Sequence, residues 1–96
     1  MNSDIRFEWD AAKAESNLCK HGISFETGQM VFSDPLHLSE LDRIVNGEQR
    51  WQTLGMVGPH MLLLVAHTWI EVDGSEVIRI ISARRAEKHE RKRYEQ

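Results

Sequence analysis

Ninety-six residues, 41% hydrophobic and 28% charged, describe one folded domain over residues 1–96 and exclude a disordered or multidomain chain. A single cysteine, Cys19, excludes an internal disulfide and fits a reducing cytosol. Charges break up the opening MNSDIRFEWD before any signal-like stretch develops, and the longest apolar run, MLLLVA at 61–66, is far short of the roughly 18 residues that span a bilayer; a soluble, cytoplasmic protein with no membrane partner is expected.

Along the chain, Ile5, Phe7 and Trp9 alternate with Arg6, Glu8 and Asp10, the period of a half-buried strand. Asp10 reads as the N-cap of a helix over AAKAESNLCKH, with Ala11, Ala14 and Leu18 as its apolar stripe and Gly22 as its stop. Ser24 opens a second helix, FETGQMVF, which Asp34-Pro35 ends. The remainder predicts sheet: LHLSEL (36–41), a polar loop turning at Asn46-Gly47, RWQTLGMV (50–57), MLLLVAHTWIEV (61–72) and EVIRIISA (76–83). Asp73-Gly74 is a two-residue hairpin signal. The 61–72 segment starts apolar on both faces, as a central strand does, and a helix near RAEKHERKRYE closes the chain. The order β-α-α-β-β-β-β-α predicts an α+β fold, a small antiparallel sheet with two N-terminal helices and one C-terminal helix on one face.

The charge is unevenly spread. Residues 79–96 hold seven lysines and arginines against three glutamates, a net +4, so the formal total of −3 leaves −7 on residues 1–78. Arg79, Arg84 and Arg85 precede the last helix with nothing acidic nearby in sequence that matches them, and arginine's fork suits phosphate. Lys20 and His21 end the first helix, where cations complement the dipole or project as a phosphate binder and a proton-transfer group. His67 reads either as a satisfied core histidine or as a general acid–base. Trp51, after Arg50, reads either as core or as a base-stacking platform. Cys19 has no evident role. The five histidines and one cysteine are not spaced for a metal, and no phosphate loop or nucleophile elbow is present, so neither metal nor cofactor is expected.

Four blocks then carry a family resemblance: FEWDAAKAESNLCKHGISFETGQMVFSDP, EQRWQTLG, LLLVAHT and IRIISARRAEKHERKRYE. In order and spacing over about residues 6 to 95, the chain resembles the BrnT toxins of bacterial type II toxin–antitoxin systems. It departs from them in being acidic overall, with a pI near 5.9. The resemblance implies a RelE-like fold and a ribonuclease that inhibits translation. It implies neutralisation by a BrnA-type antitoxin with a ribbon-helix-helix region, as a heterotetramer with two toxin chains that represses its own operon. Operator DNA is then met only through the antitoxin, and an acidic antitoxin segment is expected on the basic C-terminal segment.

Metal-free RNA cleavage needs proton transfer and charge stabilisation at phosphorus. Lys20, His21, His67, Arg84 and Tyr94 are the catalytic candidates, and Arg50, Trp51, Arg79, Arg85 and Lys88 the RNA-binding ones. The rival class is a non-enzymatic binding module or co-repressor whose basic segment docks an acidic partner or nucleic acid.

Overall fold

The alternating apolar positions at the start of the chain do form a strand, β1 (Ile5–Trp9), whose Phe7 and Trp9 pack on the core. The structure, a computed structural model, describes residues 4–96; Met1, Asn2 and Ser3, the first residues of the segment read for a signal peptide, lie outside it. Asp10 caps α1 (Ala11–His21) by accepting from the Lys13 N–H, and Gly22 ends it in the left-handed conformation at φ 72°. Ser24 caps α2 (Phe25–Gly28), which tightens into a 3-10 turn over Gln29–Ser33 ahead of Asp34-Pro35.

Five strands follow: β2 (Leu38–Val45), β3 (Glu48–Val57), β4 (Met61–His67), β5 (Ile70–Val72) and β6 (Ser75–Arg85), before α3 (Lys88–Tyr94). The sheet order is β1-β6-β4-β3-β2, with β5 also paired to β6. The polar stretch around Asn46 is strand almost to its tip, because Asn46 and Gly47 both take positive φ and close a two-residue turn. The expected strand over 61–72 breaks after His67 into β4 and β5.

The α+β class and element order are as expected, with two corrections to the sheet and its cover. β1 pairs with β6 in parallel, from Ile5 opposite Glu76 to Trp9 opposite Ile80, which makes the sheet mixed. α3 lies on the opposite face from α1 and α2. The reason is in β4: Leu63 and Val65 face a core built with Ile23, Phe25, Val31, Ile78, Ile80 and Ala83, while Leu62 and Leu64 face the other way. A strand apolar on both sides needs cover on both, and α3 supplies it over Leu54, Leu62 and Leu64 through Tyr94. The face under α1 and α2 is called the helix face below. The other is the open face, because α3 leaves the β2–β3 end of it uncovered.

The predicted stripe of α1 also shifts. Leu18 is half exposed and Asn17 is the buried residue. β1 stops opposite Ile80, so β6 has an unpaired edge beyond it, and α1 covers that edge. Asn17 donates to the Ala83 carbonyl (2.8 Å) and accepts from the Ala83 N–H (3.1 Å), acting as one residue of a neighbouring strand. Unpaired backbone groups in a core are costly, so a polar residue belongs there.

Candidate functional site

Where β6 leaves the company of β1, its register against β4 shifts: Ser82 lies opposite Ala66, Ile80 opposite His67, and Ile81 is the extra residue of a bulge. Bulges re-aim side chains and gather near functional sites. On the open face, Ile81 and Ser82 line a groove with Arg43, Arg50, Trp51, Gln52 and Ala66. Around the free edge of β6, the same two residues line a notch with Lys13, Ser16, Lys20 and His21 of α1. The two hollows therefore adjoin at the bulge. One continuous track carries arginines on the sheet, hydroxyls at the bend, and lysines with an imidazole on the helix.

The acids around the groove are occupied. Glu48 binds Arg79 at 2.8 Å and Arg50 at 3.3 Å, so Arg79 reaches across the open face toward β3. Asp42 pairs with Arg43. Arg84, two residues from Ser82 and on the same face, is gripped by both oxygens of the buried Glu90, each at 2.9 Å. The hydrogen bonds from Arg84 hold the Glu90 carboxyl below its usual range, and those to Glu90 raise the guanidinium in turn. Arg91 and Arg93 meet Glu95 and Glu40. Four arginines of the basic C-terminal segment are thus matched by acids, two of which, Glu48 and Glu40, are distant in sequence. Arg85 is exposed on the helix face and Lys88 at the outer start of α3. Neither lines the groove or the notch.

Two expectations are corrected by placement. His67 has no exposed surface. Its Nδ1–H donates to the Thr68 carbonyl at 3.0 Å, which leaves Nε2 to accept from the Thr53 hydroxyl at 2.7 Å, itself 2.7 Å from the Ser39 hydroxyl. Burial pushes its pKa down to about 4, against the opposing pull of the Thr68 carbonyl. It sits on the helix face in contact with Phe32, so it is a satisfied core histidine with no path to substrate. Trp51 packs edge-on to Trp69 with centroids 5.5 Å apart and is also among the residues that line the groove. Tyr94 donates its hydroxyl to Asp34, a bond that, with burial, pushes the phenol up to about 12. That phenol is a latch for α3 rather than an acid.

Of the sequence candidates, the structure brings together Lys20, His21, Arg50, Trp51 and Arg79, with Arg84 at the margin. Gln52, Ser82, Lys13 and Ser16 were missed. Lys13 was findable, since it sits seven residues before Lys20 and two turns place both on one side of α1. Ser82 was not, because only the bulge turns it toward both hollows. For metal, Glu87, His89 and Glu90 bring ligand atoms within 4.8 Å of one another, but Glu90 already holds Arg84. Among the described residues, no helix is long and apolar enough to cross a membrane.

Comparison with known proteins follows this geometry. Residues 9–90 match the family model for the ribonuclease toxin BrnT of type II toxin–antitoxin systems. Among solved structures, the fold is similar to the crystal structure of the Brucella abortus ribonuclease toxin BrnT, at 20% identity and a TM-score of 0.60, covering 88% of this chain and 99% of that one. At that identity the likeness bears on the fold. Among curated proteins, no sequence matches significantly.

Proposed function

The chain belongs to the BrnT family of ribonuclease toxins of type II toxin–antitoxin systems, and from that premise we propose that it is a metal-independent endoribonuclease working in the track around the β6 bulge. The observation that carries the proposal is the sharing of Ile81 and Ser82 between the arginine groove and the Lys20–His21 notch. An RNA strand bent over that edge meets cations on both sides and an imidazole on one.

In this reading the ribose 2′-oxygen attacks the adjacent phosphorus and the bond to the 5′-oxygen breaks. His21 takes the 2′-hydroxyl proton, and Lys20 supplies one to the departing 5′-oxygen. Arg50 and Arg79, with Arg84 beside them, stabilise the charge on the phosphorane, the term that is usually largest. With His67 buried, His21 is the imidazole that a substrate can reach in this track, and imidazole is the side chain suited to proton exchange near neutral pH. Independence of metal is favoured because Asp42, Glu48 and Glu90 are all engaged by arginines, so the carboxylates beside the groove are not free to hold a cation.

The biological reading follows the family: cleavage inhibits translation in the cytoplasm, a BrnA-type antitoxin neutralises it as a heterotetramer with two toxin chains, and the complex represses its own operon. The 96 residues act as one toxin domain. Digestion of a defined RNA in EDTA, with analysis of the ends, tests the reaction. Fragments with 2′,3′-cyclic or 3′-phosphate ends are expected. Loss of cleavage in EDTA, restored by magnesium, contradicts it.

A further inference from the structure

At the end of the sheet, beyond the cover of α1 and α2, two hollows adjoin. Trp51, Trp69, Ile70, Glu71 and Glu76 line one; Ile44 and Glu48, with Trp69 and Ile70 again, line the other. Ile44 and Ile70 are 62% and 51% exposed. Apolar side chains this open, gathered around two tryptophans, mark a contact surface for another protein. No lysine or arginine lines either hollow. Glu71 is exposed at the rim, and Glu76 accepts the Trp69 indole hydrogen at 2.7 Å. That charge repels RNA. It also disfavours a second copy of this chain, since a two-fold contact sets the patch against itself and acids against acids. The chemistry that fits is an apolar segment flanked by lysine or arginine, anchored on the aromatic floor and complementary to the acidic rim.

We propose that this hollow seats a basic-flanked apolar segment of the antitoxin, at the end of the sheet beside the RNA track. The inference rests on the reading of the chain as a type II toxin. It moves the expected docking site off the C-terminal segment, whose arginines at 79, 84, 91 and 93 already have acidic partners. It also explains how an anchor in the hollow silences the neighbouring groove. Ile44 in the hollow and Arg43 in the groove are successive residues of β2, the edge strand of the sheet. A partner anchored at Ile44 and wrapped around that edge arrives at the groove.

The test measures binding of the protein encoded by the adjacent reading frame to the wild-type chain and to Ile44→Glu, Ile70→Glu and Glu71→Lys, with RNA cleavage assayed in parallel. The dissociation constant is expected to rise about tenfold or more in each variant, as for truncation at the centre of an interface, while cleavage stays at the wild-type rate. Glu71→Lys changes only an exposed charge and keeps the test readable if an isoleucine variant unfolds. Unchanged affinity in the folded variants overturns the inference. RNA binding lost in these variants with partner affinity intact does so too, as does a wild-type chain that fails to bind the partner. Absent cleavage alongside the expected affinity pattern counts against the catalytic reading alone.

Discussion

At His67, burial disfavours the charged ring more than the Thr68 carbonyl favours it. Its pKa falls from 6.5 in the unfolded chain to about 4 in the fold. Below pH 6.5 the unfolded state takes up a proton that the folded state refuses. Stability is therefore full above 6.5 and declines as pH drops toward 4, by about 3 kcal/mol at most. Thermal melts across that window should show the decline in the wild type and a flatter profile in His67→Gln; parallel profiles would contradict it. Asp34 and Glu90 add losses at lower pH, as their carboxyls are held below the usual range. At Arg84, removal of the guanidinium strands a buried carboxylate, so Arg84→Ala costs stability on the order of 2 kcal/mol besides any effect on cleavage. The double variant Arg84→Ala/Glu90→Gln should regain much of the melting temperature without regaining activity. Recovery of both, or of neither, would separate Arg84 from the role given to it.

At the scale of elements, two contacts hold the layers in place. The 3-10 turn rests directly on β3 at Gly55, where an added Cβ meets the Val31 Cβ at 2.6 Å and its carbonyl at 2.7 Å. Gly55→Ala must push the turn off the sheet and should cost about 1–3 kcal/mol in a denaturant titration. Asn17→Ala opens the β6 edge at Ala83 and should cost a similar amount, since a buried N–H and carbonyl lose their partners; an unchanged midpoint would show that water replaces the amide. The local elements were legible: Asp10, Ser24, Gly22 and the Asn46-Gly47 turn each announce a backbone conformation through their own chemistry. The parallel β1–β6 pairing was not, because its partners are about seventy residues apart and nothing in either strand specifies the other. Asn17 hides for a related reason. Its burial follows from an edge left open by another strand, so the apolar spacing of α1 pointed to Leu18 instead.

Across the whole molecule, charge is organised by folding rather than by sequence. The run of cations after residue 79 reads as one basic patch, yet Glu48 and Glu40, on other strands, take two of its arginines. The cations that share the β6 bulge come instead from α1, β2 and β3, and the helix is far in the chain from the two strands. This is why Lys20, His21, Arg50 and Arg79 were legible as types but not as one site, and why Arg85 and Lys88 looked central. The aromatic hollow adjoins the RNA track but holds none of its lysines, arginines or histidine, so catalysis and antitoxin grip should separate by mutation. The most direct measurement is the cleavage rate of one RNA by folded His21→Ala, Arg50→Ala, Arg85→Ala and Lys88→Ala proteins. The first two should fall by about 10²-fold or more while the last two stay within about threefold of wild type. Loss confined to Arg85→Ala and Lys88→Ala, with His21→Ala and Arg50→Ala at full rate, would place the chemistry on the C-terminal segment and contradict the bulge site.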